Sequence, residues 1–361
     1  MENDGFEAWL ACVGELTSSQ RSRVFLSLAL AEAYGDEQSP PPVAAAALAS
    51  PVPIVPAALR AGADAAVSSA APVSNVVSVT VAGGQRVERA GCPHCASHSL
   101  QRWGNVSGLQ RYRCRDCRRS FNALTGTPLA RLRKKDLWAA HVEALTTGES
   151  VAKAAKRCGV AVSTAFRWRH RFLSAPAVDK PSQLSGIVEA DETYIRESFK
   201  GKRSGLPRPA RKRGGPADKR GLSAEQIAVL VARDRSGRTT DAILAHHDRA
   251  SITAALGGVV TPANQLCCDG GKPIVGFARR AEIPCCILPK PGGPMPTAPS
   301  LHINNVNAYH GRLKEWLRPF HGVATAYLDH YLGWRRTIEA IGNTEERQKW
   351  IGAALGIQVC Q

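Results

Sequence analysis

Two Cys-x-x-Cys pairs, Cys92/Cys95 in C-P-H-C and Cys114/Cys117 in C-R-D-C, are separated by eighteen residues. Each pair makes a tight knuckle that turns two thiolates toward one ion, and two knuckles supply the four sulfurs of a tetrahedral zinc. Four thiolates close the coordination sphere, so the expected Zn²⁺ is structural and His94 and His98 are left as surface residues. Between the knuckles, Leu109 to Cys114 alternates as a hairpin strand does, which predicts a zinc ribbon over residues 91–130. Arg102, Arg111, Arg113, Arg115, Arg118 and Arg119 crowd this short module. Such one-sign crowding fits phosphate contact, and it also fits a solvated charged face. The other seven of the eleven cysteines follow no framework. Cys267-Cys268 and Cys285-Cys286 lie in apolar runs and read as small buried hydrophobes.

Residues 131–176 carry helical periodicity broken by one turn. Ser150 to Cys158 reads as a short helix, Gly159 as the turn, and Ser163 as the cap of a second, basic helix running through Arg171. In a helix-turn-helix the second helix enters the major groove, so Arg167, Arg169 and Arg171 are expected on DNA. A plain helical hairpin is the alternative.

Upstream, residues 1–35 show apolar positions three or four apart, predicting a small helical segment. Residues 36–90 are rich in Ala, Pro, Ser and Val and predict a linker without a packed core, with a strand expected near Asn75 to Val81. Acidic Glu2 and Asp4 stand where a signal peptide would be basic, and proline breaks the apolar tract that follows, so a cytoplasmic protein with no membrane partner is expected. The formal charge of +17 favours a polyanionic partner. Nine Lys or Arg against one acid between Lys200 and Arg220 contribute +8 of it. Glycine and proline make that segment a loop, with Lys212 and Arg213 expected to bind DNA.

From residue 185 the chain becomes strand-rich. Ile187 to Asp191 is a β-branched run ending in a carboxylate, and Asn264 to Cys268 delivers Asp269 in the same way. A helix beginning near Asn304 places Asn307 and Lys314 on one face, since seven residues make about two turns. Two strand-end aspartates and a polar residue on a late helix suit a pair of hard cations. On spacing alone they equally suit solvated turns. Glu189, Glu192 and Glu315 are acids that could supplement the neutral Asn307, and strand alternation favours Glu189 because it shares the face of Asp191. His302 and His310 are further candidates for contact with DNA or metal.

The motifs C-P-H-C and C-R-D-C, V-E-A-D-E-T-Y-I around Asp191, C-C-D-G-G-K at Asp269, and H-I-N-N-V-N-A-Y-H-G-R-L-K from His302 to Lys314 resemble those of bacterial insertion-sequence transposases related to the Merlin transposons. The resemblance spans about residues 91–340. It implies a zinc ribbon, a helix-turn-helix and a ribonuclease-H-like mixed α/β catalytic domain over 185–345; with the N-terminal helical segment before them and a C-terminal tail over 346–361, a multidomain α+β chain is expected. It implies Asp191, Asp269 and Asn307 as ligands of a catalytic Mg²⁺ or Mn²⁺, with Asn307 where many relatives have Glu, and Lys314 on a DNA phosphate. It further implies double-stranded DNA, both transposon ends and target, as partner, a homodimer or higher assembly, and a nucleoid-associated bacterial location. A DNA-binding regulator, or a decayed transposase that binds without cutting, is the alternative.

Overall fold

In the computed structural model, residues 77–80, 86–89, 91–202, 204–208, 217, 219, 221–289, 295, 298–342 and 347–356 are described. The expected helical segment 1–35, most of the 36–90 linker, and Lys212 and Arg213 lie outside the described residues. The strand expected near residues 75–81 is present as β1 (Val77–Thr80), paired antiparallel with β2 (Arg86–Arg89).

The cysteine module is a three-stranded antiparallel sheet of β3 (Leu100–Val106), β4 (Leu109–Cys114) and β5 (Ser120–Phe121). Its two knuckles repeat one geometry. Cys92 N donates to Ser97 O at 2.8 Å and Cys114 N to Arg119 O at 3.0 Å, and the residue four positions after each, Ala96 (φ 59°) and Arg118 (φ 57°), turns left-handed to close the loop. Tyr112 stacks on Phe121 beneath the sulfurs, with ring centroids 6.0 Å apart.

Three helices follow: α1 (Trp138–Thr146), α2 (Val151–Cys158) and α3 (Val162–Val178). Ser150 Oγ caps α2 by accepting from Lys153 N at 3.3 Å, and Gly159 (φ 60°) supplies the left-handed turn that ends it. The cap expected of Ser163 is corrected: α3 begins one residue earlier, with Ala161 at its N-cap and no side-chain cap. Pro176 lies within the last turn of α3, which runs on to Val178.

The second sheet has the order β10-β9-β6-β7-β8. Here β6 is Ile187–Arg196, β7 Gln226–Asp234, β8 Thr239–Ile243, β9 Gln265–Cys268 and β10 Cys285–Ile287. The β6-β7 and β7-β8 pairs are antiparallel, whereas β9 joins β6, and β10 joins β9, in parallel. Parallel strands need a crossover, and α5 (Lys272–Arg280) provides it between β9 and β10. Both faces of the central strands are covered. Val188, Ala190 and Leu230 pack with Ile252 of α4 (Arg249–Leu256) and with Ile274 and Phe277 of α5. On the other face Val229 and Val231 pack with Val306, Tyr309 and Leu313 of α6 (Asn304–Leu317) and Leu332 of α7 (Leu328–Ile341). Cys267 and Cys268 are fully buried and Cys286 nearly so, the packing role expected of them.

A third core joins the helix-turn-helix to the end of the chain. Trp138, Trp168, Trp334 and Trp350 are each at most 2% exposed within it. Residues 347–355, within the segment that reads from sequence as a tail, form α8 (Arg347–Leu355), whose Trp350, Ile351 and Ala354 make a stripe against this core. Helix α7 passes α3 closely at Gly333, where a Cβ would stand 2.5 Å from Pro176 O and 2.6 Å from Ala177 Cα. Three residues on, the buried Arg336 donates to the carbonyls of Pro176 (3.0 Å), Ala177 (3.1 Å) and Asp179 (3.2 Å) and pairs with Asp241 on β8.

Candidate active site

The expectation that Asp191 ends its strand is corrected: β6 runs on to Arg196, still paired with β7, and Asp191 sits midway along it, opposite Val231. The β9 strand pairs with β6 only from Ile187 to Glu189, so the chain leaves the sheet just before Asp269 and carries that carboxylate beside the continuing strand. Asp269 is exposed, and its Oδ1 accepts from Gly271 N at 3.0 Å. Burial, reinforced by the nearby charge of Asp269, pushes the Asp191 carboxyl up to about 7, against an opposing pull from Lys314.

Helix α6 supplies the other side. His310 Nδ1 is 3.8 Å from Asp191 Oδ2. Burial, with Lys314 adding to it, holds His310 down to about 4, so the imidazole is neutral at pH 7. Its buried Nε2 has no hydrogen-bond partner among the described residues. Asn307 and Lys314 are exposed one turn to either side of His310, so helical spacing sets all three along one stripe.

What fixes α6 is Glu189, and here the structure corrects the expectation that Glu189 supplements the metal ligands. It does face the same side as Asp191, but it is fully buried and already engaged. Its Oε2 accepts from Val306 N at 2.9 Å in the first turn of α6, and its Oε1 pairs with Arg235 and lies 3.2 Å from His302 Nδ1. A carboxylate at a helix N-terminus satisfies an orphan N–H and complements the helix dipole. Glu189 therefore positions the helix that carries Asn307. His302, half-buried, belongs to this cluster through Arg235 and Glu189. Glu315 is exposed and paired with Arg318 at 3.1 Å.

The acid that does approach Asp269 is Glu192. A Cβ placed on Gly271 would lie 3.4 Å from Asp269 Oδ1 and 3.9 Å from Glu192 Oε2, so the two carboxylates flank that glycine. Burial and Asp269 raise the Glu192 carboxyl, while His247, 3.2 Å away, opposes the rise. Strand alternation puts Glu192 on the opposite face from Asp191. Only the departure of β9 from the sheet brings Asp269 within reach of both, and no local sequence pattern signals that.

Among the described residues, Cys92, Cys95, Cys114 and Cys117 form the one group of three or more candidate ligands whose donor atoms all lie within 4.8 Å of one another. Cys92 and Cys117 sulfurs are 3.6 Å apart, as are those of Cys95 and Cys114. Sulfurs bound at about 2.3 Å to a tetrahedral ion stand about 3.8 Å from each other, so the cluster fits such an ion. His94 N also donates to Cys92 Sγ at 3.4 Å, a bond that steadies a thiolate. His94 and His98 are exposed.

The basic helix α3 divides its arginines. Arg167 is exposed. The expectation that Arg169 meets DNA is corrected: it is 1% exposed, donates to Glu149 O at 2.6 Å and Tyr331 Oη at 3.4 Å, and lies over the Trp334 ring at 4.9 Å. Arg171 is half-buried and turns back to the carbonyls of Pro128 and Ala130, the latter at 2.9 Å.

Comparison with known proteins agrees with the motifs. The family model of the homeodomain-like helix-turn-helix domain matches residues 130–177, and that of the ISXO2-like transposase domain matches residues 183–335. An uncharacterized protein in transposable element ISH50 of Halobacterium salinarum is 36% identical over 149 residues, which are 40% of this chain and 49% of that protein. The chain thus spans about half the length of that curated relative. A crystal structure of a pre-cleavage Mos1 transpososome aligns at 13% identity over 61% of this chain and 78% of that one, with a TM-score of 0.18, too low to carry an argument. The matches agree with the resemblance read from the motifs: residues 183–335 match the ISXO2-like transposase domain, and the relative comes from a transposable element.

Proposed function

We propose that the chain is the transposase of an insertion sequence, cutting DNA at the element's ends and joining the freed 3′ hydroxyl to target DNA. The observation that carries this reading is the convergence at β6 of Asp191, Asp269 and the α6 residues around His310. The order β8-β7-β6-β9-β10, three antiparallel strands followed by two parallel ones, supports a ribonuclease-H-like fold for this domain.

Mg²⁺ or Mn²⁺ fits the site because Asp191 is partly buried beside a second carboxylate, an arrangement that disfavours its charged form until a cation offsets it. Asp191 and Asp269 would hold the ion, with the Asn307 amide oxygen as a third donor. The bound ion supplies Lewis acidity at the scissile phosphate and lowers the pKa of the attacking water. Glu189 fixes the first turn of α6, the helix that carries Asn307, through Val306 N. Exposed Lys314 reaches outward to a phosphate of the bound strand. The four-cysteine cluster would hold Zn²⁺ in the ribbon. The ribbon and helix-turn-helix would recognise the terminal inverted repeats, with Arg167 on the DNA, and the basic segment containing Lys212 and Arg213 would grip flanking or target DNA. Two copies or more would bring the two ends together, on the bacterial nucleoid in the cytoplasm. Among the described residues no helix is long and apolar enough to cross a membrane.

The test is a strand-transfer assay with end-bearing DNA and Mg²⁺ or Mn²⁺, comparing wild type with Asp191→Ala and Asp269→Ala. Both variants should bind the ends and lose nicking and joining. Full cleavage by either variant defeats the assignment. A wild type that binds but never nicks turns the reading to a DNA-binding regulator or decayed transposase.

A further inference from the structure

A cleft of about 700 Å³ lies between the ribbon hairpin and helix α3, and a second of about 510 Å³ continues it along α3. Both are lined by Arg131, Leu132 and Arg133, from the turn that links the ribbon to α1. Leu132 is buried and anchors this turn in the tryptophan core, while Arg131, Arg133 and Lys134 are exposed. None of these three cations has a hydrogen-bond or ion-pair partner among the described residues, and no Asp or Glu lines either cleft.

The turn is built rather than loose. Arg131 (φ 63°) and Lys134 (φ 54°) hold left-handed backbone, which costs a non-glycine residue about 1 kcal/mol and persists where neighbours fix it. The fixing contacts are present on both sides. Lys135 Nζ ties the turn to Ser107 O of the ribbon hairpin at 2.9 Å, and Arg171 ties it to α3 through Pro128 O and Ala130 O. Two basic side chains thus hold the turn in place; Arg131 and Arg133 line both clefts, the first shared with Arg111 of the ribbon, and Lys134 lines the second together with Arg167 of α3.

We propose that Arg131, Arg133 and Lys134 form a phosphate clamp that seats one duplex DNA backbone between the ribbon and α3. Unpaired cations held on a fixed turn in acid-free clefts suit the phosphates of a DNA backbone, contacts that set register without reading sequence. The clamp deepens the DNA-binding part of the proposed function and rests on it. It also takes over the phosphate-gripping role that the buried Arg169 and the tied Arg171 do not fill.

The experiment is fluorescence anisotropy of the full-length, zinc-loaded protein on two labelled duplexes of equal length, one random and one carrying the element's end, across a salt series. The variant is Arg131→Gly/Arg133→Gln/Lys134→Gly, in which glycine removes charge while favouring the left-handed backbone. Each lost phosphate contact lowers the slope of log K against log salt by about 0.9, so the triple variant should lose about 2 to 3 in slope and bind on the order of 10²-fold more weakly at low salt. The loss should be equal on both duplexes, with far-UV circular dichroism and Tm unchanged; Arg133→Gln alone should lose about 1. Unchanged slope in the variants, with wild type binding, overturns the clamp and leaves the transposase reading intact. A loss confined to the end-bearing duplex also overturns it, because phosphate contacts carry no sequence. A wild type that binds neither duplex overturns the DNA-binding reading and the clamp with it.

Discussion

Arg169 gives the sharpest contrast between what α3 looks like and how it is used. Replacing it with Ala removes the donor to Glu149 O at 2.6 Å and the weaker one to Tyr331 Oη at 3.4 Å, and it empties the space over the Trp334 ring. A lost charge-assisted hydrogen bond costs about 1.5–3 kcal/mol, and the cavity adds to this, while relief from holding a buried cation subtracts. The net expectation is a loss of about 2–4 kcal/mol. At about 2–4 °C per kcal/mol, Tm should fall by on the order of 5–15 °C. Arg169→Met, which refills most of the volume, should lose less. Differential scanning fluorimetry reads both variants, with Arg167→Ala beside them as the exposed control that keeps its Tm and weakens DNA binding. If Arg169→Ala keeps the wild-type Tm and loses only DNA affinity, the side chain points outward and the account of α3 is refuted.

Other perturbations follow from the same packing. Purified protein should carry one zinc per chain by metal analysis, and Cys92→Ser/Cys117→Ser should carry none. The Asp191 carboxyl is raised to about 7 in the fold from 3.8, so the folded state holds the extra proton and stability falls as pH rises through that range. Without added divalent metal, Asp191→Asn should therefore be more stable than wild type at about pH 8, by on the order of 2–4 kcal/mol at 1.4 kcal/mol per unit, and indistinguishable at about pH 4. Equal denaturation midpoints at both pH values would show that Asp191 is not buried beside Asp269. Arg336→Met strips the buried guanidinium from Asp241, leaving it Lys180 at 3.9 Å, and the donors from three carbonyls, and chemical denaturation should register a loss of about 3–5 kcal/mol.

The cysteine knuckles and the strands are legible in the chain because each is local: a knuckle spans four residues, and a β-branched run declares its strand without knowing its neighbours, though not where it ends, so Asp191 lies inside β6 rather than at its end. The misread residues depend on distant partners. On α3 the buried stripe is Ala165, Trp168, Arg169, Phe172 and Leu173, an ordinary helical spacing with a charge set inside it. Nothing near Arg169 reveals Tyr331, which completes its site from 162 residues away. For Glu189, alternation gives the right face but not the fact that Val306 N and Arg235 already occupy its oxygens. Glu192 is found beside Asp269 only because β9 leaves the sheet where it does.

The close pass of α7 over α3 at Gly333 has a mechanical meaning. Four tryptophans pack the helix-turn-helix against the end of the chain, and Arg336, laced into the end of α3, also pairs with Asp241 of the sheet, so the helix that would meet base edges is tied to the sheet that carries Asp191. Under the proposed function this makes the protein a ruler: the cut falls a set number of base pairs from the sequence that α3 reads. Base pairs inserted between those two points in the DNA should move the cut with the recognised sequence and leave the original junction whole.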